Sequence, residues 1–139
     1  PNTYVFLPGF NVDTPDVAAQ KIKDAPARIA AIAKAISGGG SDMLIPGAAA
    51  WLKTRVLRPF FVRFMMSPKP FGYNEGCTAC GTCARSCPME NIDMKADGPS
   101  WGDKCAFCLR CYHICPRRAV TYGKATNGKG QWLNSFLLK

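Results

Sequence analysis

Apolar positions at steps of three and four dominate the first third of the chain. Val17, Ala18, Ile22, Ala25, Ile29, Ile32, Ala33 and Ile36 form one face of a predicted helix. Asp13 or Thr14 caps it, with Pro15 in the first turn. Pro26 either kinks this helix or opens a second one capped by Asp24. Gly38-Gly39-Gly40 ends the run. Ahead of it, Tyr4-Val5-Phe6-Leu7 reads as a buried strand stopped by Pro8-Gly9. Met43-Leu44-Ile45 leads into Pro46-Gly47, and residues 48–66 resume a helical pattern, broken or bent at Pro59. Trp51, Leu52, Val56, Phe60 and Phe64 share a face that Leu57, Phe61 and Met65 widen. Ser67-Pro68-Lys69-Pro70 marks a domain boundary. Beyond it the apolar runs are short: Phe71–Tyr73, Ile92–Met94, Ser100-Trp101 and Val120–Tyr122. A turn at Asp97-Gly98-Pro99 makes the middle two a hairpin, and 120–122 is the partner for 71–73.

Charge changes the reading of 48–66. Lys53, Arg55, Arg58 and Arg63 interrupt it, and no acid lies between Trp51 and Lys69. Four interior charges argue against a membrane span. Two readings stay open: a joining helix packed on the protein or on a second copy of the chain, and a helix lying on an acidic membrane surface.

Composition adds the chemistry. The chain has 139 residues, 47% of them apolar, and eight cysteines. All eight fall between Cys77 and Cys115. The first run is Cys77, Cys80, Cys83, Cys87, then Pro88; the second is Cys105, Cys108, Cys111, Cys115, then Pro116. Both read C-x2-C-x2-C-x3-C-P. Such tight spacing gathers thiolates around one object, whereas a disulfide scaffold spreads its cysteines to close larger loops. A thiolate site fits a reducing compartment, so the expected location is the cytoplasm. Structural zinc pairs two cysteines with two more at a distance and fits poorly. Two complete runs point to two [4Fe-4S] clusters, and with no ligand missing nothing favours a [3Fe-4S] site.

The general rule for these runs assigns the fourth cysteine to the other cluster, which spacing alone does not prove. One site is then Cys77, Cys80, Cys83 and Cys115, and the other is Cys105, Cys108, Cys111 and Cys87. The repeat, run then proline then small strand, predicts two similar halves related by an approximate twofold axis. Small residues Thr78, Ala79, Gly81 and Thr82 let backbone N–H groups approach sulfur; Phe107, Leu109 and Arg110 are bulkier. His113 is not needed as a ligand. Tyr73, Trp101 and Tyr122 read as packing residues, and Arg85, Arg110, Arg117 and Arg118 as solvated charges or docking residues for an acidic partner. The formal charge is +9, and two filled sites lower it to about +5. A nucleic-acid partner is not expected, because no basic patch interleaves with stacking aromatics.

Residues 71–123 resemble the bacterial two-[4Fe-4S] ferredoxin domain. The resemblance implies an α+β fold with two tiny sheets, preceded here by a mainly helical segment, and a low-potential carrier of one electron per cluster. Trp101-Gly-Asp-Lys-Cys105, Cys108-Leu-Arg-Cys111 and Cys115-Pro-Arg-Arg-Ala-Val-Thr-Tyr-Gly123 further resemble a family joining a flavodoxin-like domain to a C-terminal ferredoxin domain. Tyr4 to Asn11 is similar to a strand and flavin-side loop of its flavodoxin part. That implies four regions: 1–40 as a strand–loop–helix remnant, 41–70 as a helical bridge, 71–123 as the cluster domain and 124–139 as a tail. The phosphate-cradling loop is absent, so FMN is expected only in a longer parent protein.

No substrate pocket or acid–base constellation shows, so the expected function is electron transfer with no catalytic residue. The alternative is the electron-relay part of a flavin-dependent oxidoreductase whose catalysis occurs elsewhere. A third reading gives the clusters a purely structural role. Expected partners are a redox protein or flavin domain, with homo-oligomerisation left open.

Overall fold

The computed structural model describes residues 4–39 and 47–133. Gly40, the apolar run Met43–Ile45 and the last part of the tail lie outside the described residues. Two compact units are present: Asp13–Met65, and Asn2–Val12 joined with Met66–Lys139.

The first unit is helical. Helix α1, Pro15–Ser37, runs without a break through Pro26. Thr14 takes the N-cap position in an extended conformation but makes no side-chain cap bond, and Asp16 sits in the first turn. Lys21 pairs with Asp13 at 2.7 Å, and its hydrogen bond to the Asp13 carboxyl holds that group's pKa below the usual value. Only Ala18 is buried along α1, while Val17, Ile29, Ile32 and Ile36 are exposed. The second helical stretch comprises α2 (Ala50–Leu52), a π-helical turn (Lys53–Leu57) and α3 (Arg58–Phe64). The expected disturbance at Pro59 therefore takes the form of a wider turn just before it. Proline has no N–H for the ladder and its ring crowds the carbonyl four residues back, which a π turn relieves. Phe60 and Phe64, one turn apart, meet at 4.9 Å between ring centroids. Among the described residues no helix is long and apolar enough to cross a membrane.

The second unit has α+β architecture. Strands β1 (Phe71–Tyr73), β2 (Ile92–Lys95), β3 (Gly98–Trp101) and β4 (Val120–Tyr122) alternate with two short helices, α4 (Thr82–Arg85) and α5 (Arg110–Ile114). β1 pairs antiparallel with β4, setting Phe71 opposite Tyr122; β2 pairs antiparallel with β3, setting Ile92 opposite Trp101. The hairpin turn falls at Ala96-Asp97, one position before the Asp97-Gly98-Pro99 turn expected from sequence. Gly98 already belongs to β3, with φ +138°. The core is aromatic: Phe71, Phe107 and Tyr122 meet edge to face at 5.0–5.7 Å, and Phe71 stacks on Trp101.

The N-terminal strand expected at Tyr4–Leu7 does not form. Residues 5–9 make turns, closed by bonds from Leu7 N to Tyr4 O and Phe10 N to Leu7 O. A four-residue apolar run has no preference for extended geometry unless another strand supplies ladder partners. Here Val5 is fully buried and Phe6 meets Phe107 at 4.8 Å and Tyr122 at 5.7 Å, so apolar burial decides its shape. The described part of the expected tail is also structured. A 3-10 helix spans Gly123–Thr126. Lys129 Nζ donates to the carbonyls of Val5 and Leu7, and Gly130 N donates to Asn11 Oδ1 at 2.9 Å. Tyr112 Oη donates to the carbonyls of Lys129 and Gly130, both at 3.1 Å. Both chain segments are thus bound to the strands and loops that carry the cysteines.

Gly98 lies under Tyr73, whose hydroxyl donates to Asp97 O at 2.6 Å. A Cβ on Gly98 would stand 2.7 Å from Tyr73 Cζ, at a φ that disfavours any side chain. Gly98→Ala is expected to cost about 1–3 kcal/mol. Thermal unfolding followed by circular dichroism checks this, and an unchanged midpoint would refute it.

Candidate metal centre

The loops that bear the cysteines owe their shape to residues with left-handed backbone. Ala79 (φ 50°) and Gly81 (73°) lie within the first run; Phe107 (55°) and Leu109 (56°) lie at the same places in the second. Glu90 (49°) and Arg118 (51°) each stand three residues beyond the fourth cysteine. Each pair is separated by the interval from Cys77 to Cys105. A left-handed residue reverses the local curl of the chain, so the first three cysteines of each run wrap around a point. Gly81 and Leu109 then serve as the N-caps of α4 and α5.

These loops border two partly open cavities. Cys77, Cys80, Cys83 and Cys115 line the first, together with Thr78, Gly81 and Arg117. Cys87, Cys105, Cys108 and Cys111 line the second, together with Ile92, Trp101 and Arg110. Each cavity thus takes three thiols from one run and the fourth from the other. Cys83 and Cys111 are buried, Cys80 and Cys108 exposed, and the other four half-buried. Among the described residues no group of three or more His, Cys, Asp or Glu converges closely enough for a single metal ion. The thiols face a space instead.

Backbone N–H groups point at several sulfurs. Asn91 N donates to Cys87 Sγ at 3.4 Å, and Ala119 N, at the same place in the second half, to Cys115 Sγ at 3.3 Å. Phe107 N donates to Cys105 Sγ at 3.4 Å. Cys80 Sγ and Thr82 Oγ1 are 3.3 Å apart. That hydrogen bond holds the Cys80 thiol below its ordinary pKa. Burial works the other way elsewhere. It raises Cys83 and Cys105, and it pushes Cys111 up to about 12. Four thiolates gathered without a cation would repel one another and lose water. The donor set therefore fits a cationic metal core, which would favour the deprotonated form of every thiol.

Other residues marked out by sequence take varied places. Arg85 donates to Thr82 Oγ1 at 3.4 Å. Tyr122 Oη donates to Ser67 O at 2.8 Å. His113 is buried, and its Nδ1 accepts from Trp132 N at 3.2 Å. It borders neither cavity, and burial lowers its pKa. One residue escaped the sequence reading. Asn91 is buried; its Nδ2 donates to Gly102 O at 2.9 Å and its Oδ1 accepts from Lys104 N at 2.7 Å. It ties the residue after Glu90 to the approach to Cys105. An asparagine between a proline turn and a strand carries no spacing signal, so nothing in the sequence singles it out. Trp101, read from the sequence as a packing residue, lines the second cavity.

The thiol environments make a reactivity prediction for the cluster-free chain. Cys80 is exposed with a lowered pKa, whereas Cys111 is buried and raised to about 12. At neutral pH iodoacetamide is expected to modify Cys80 at least about tenfold faster than Cys111. Peptide mapping by mass spectrometry checks the order; equal rates would contradict it.

The family described as 4Fe-4S dicluster domain matches residues 76–120. A ferredoxin from Methanothermococcus thermolithotrophicus is 36% identical over 44 residues, which cover 30% of this chain and 73% of the relative. Neither comparison adds support for a flavodoxin-like part in residues 1–40. Through its cysteine-bearing segment, the chain belongs to the ferredoxin family of 4Fe-4S dicluster domains.

Proposed function

We propose that the chain is a low-potential electron carrier with two [4Fe-4S] clusters, one electron passing through each. Cys77, Cys80, Cys83 and Cys115 hold one cluster, and Cys105, Cys108, Cys111 and Cys87 the other. The observation that carries this reading is the pair of cavities, each bordered by four thiols drawn from both runs. The tight C-x2-C-x2-C-x3-C spacing of both runs favours a polynuclear iron–sulfur group over zinc, whose structural sites pair two cysteines with two more at a distance. When bound, such a cluster supplies a one-electron couple whose potential depends on hydrogen bonds to sulfur, net charge and solvent access.

The protein's own part is to hold and shield. Thiols of Cys83 and Cys111 are kept from solvent, while the exposed Cys80 and Cys108 mark the sides open to a partner. N–H groups of Asn91, Phe107 and Ala119 donate to ligand sulfurs and favour the more negative, reduced state. The left-handed positions recurring in both runs support two halves related by an approximate twofold axis. A chain of formal charge +9, still about +5 when loaded, favours an acidic redox partner or flavin domain.

Anaerobically purified protein is expected to contain about eight iron and about eight sulfide per chain, and to show reversible EPR signals on reduction. Zinc in their place, with no signal on reduction, would sink the proposal. Cys115→Ala and Cys87→Ala are each expected to alter one cluster, and a different one, in the redox-titrated spectrum. Two variants that alter the same cluster would overturn the exchange of ligands between runs.

A further inference from the structure

Among the described residues, the buried side-chain polar atoms without a hydrogen-bond partner are Trp101 Nε1 and His113 Nε2. A buried N–H left unmade costs about 1–3 kcal/mol, so each asks for an acceptor. Trp101 borders the cavity that Cys87, Cys105, Cys108 and Cys111 share. Its position is set from two sides. Backbone pairing places it opposite Ile92, and its ring stacks on Phe71 at 5.8 Å with 16° between the planes. The buried Cys111 thiol lines the same cavity. As a neutral thiol, Cys111 is a poor acceptor. As a thiolate it is a charged one, and a hydrogen bond to a charged group is the stronger kind.

We infer that Trp101 is a positioning residue of the second cluster, its indole N–H donating to the Cys111 thiolate when that site is loaded. The inference rests on the cluster assignment proposed above. The bond completes an otherwise orphaned donor and gains strength as the cluster becomes more negative. It therefore raises that cluster's reduction potential. Tyr73 stands at the corresponding place in the first half but sends its hydroxyl to Asp97 O, and it does not border the first cavity. The effect belongs to one cluster of the two.

The test uses the loaded, anaerobic full chain. Trp101→Phe keeps a ring against Phe71 and removes the N–H. The expected result is full iron and sulfide content, one midpoint potential lowered by about 59 mV, a tenfold change in a one-electron equilibrium, and the other unchanged. A fully loaded variant with both potentials unchanged would overturn the role of Trp101 and leave the cluster assignment standing. Failure of the unmodified chain to load iron and sulfide overturns the assignment itself, and this inference with it. Should the variant not load, the unmodified protein still decides. Indole nitrogen-labelled samples, assigned with Trp51→Phe and Trp132→Phe, are expected to show a contact shift at the Trp101 nitrogen on reduction. A Trp101 nitrogen with no contact shift in either redox state would overturn the inference.

Discussion

Everything in the cysteine-bearing unit depends on the chain curling back on itself around two cavities. Such a curl requires left-handed backbone, and of the six residues that supply it in the two halves only Gly81 lacks a Cβ. Ala79, Glu90, Phe107, Leu109 and Arg118 adopt it against their intrinsic preference, at about 1–3 kcal/mol each. Strain of this kind persists only where surrounding structure over-determines it. Two of the five, Phe107 and Leu109, are buried, and Phe107 sits among the core aromatics. The packing that forms the core is thus also the packing that holds the second loop in shape.

That core is small, and its parts come from distant places in the chain. Phe71, Trp101, Phe107 and Tyr122 belong to two sheets and a cysteine loop, and Phe6 joins them from the other end of the sequence. Asn91 links the end of the first half to the start of the second with three backbone and side-chain bonds to Gly102 and Lys104. Segment 124–133 binds residues 5–11 through Lys129 and Gly130, and α5 through Tyr112. Two-stranded sheets of three or four residues are not stable alone. Cross-links of this sort supply part of what the strands lack, and in the proposed reading metal–thiolate bonds would supply more.

Electrostatics and burial oppose each other at the thiols. Burial raises Cys83, Cys105 and Cys111, whereas coordination needs all of them deprotonated. In the proposed reading a cationic core would resolve the conflict, with the N–H groups of Asn91, Phe107 and Ala119 sharing the negative charge that remains. These donors come largely from backbone, so side-chain identity around the ligands is less constrained than chain path. By the inference drawn above, Trp101 would add a side chain to them.

Much of the cysteine-bearing segment was legible in the sequence. The spacing of Cys77 to Cys115, the four short strands and their pairing, and the helix 15–37 all rest on local signals: thiol intervals, alternation and three-four periodicity. Local signals fail where distant chain decides. Tyr4–Leu7 reads as a strand by composition, but with no ladder partner its side chains are buried among Phe107 and Tyr122 and its backbone turns. Pro26 and Pro59 both looked able to break a helix; one is carried within α1 and the other follows a π turn. Asn91 and Trp101 matter only because folding brings Gly102 and Lys104 to the first and sets the second beside the cavity that Cys111 lines. The sequence by itself determined which residues have the chemistry and where the chain can turn. Tertiary structure decided which thiols share a cavity and which donors face them, because those are contacts between the halves that no local interval encodes.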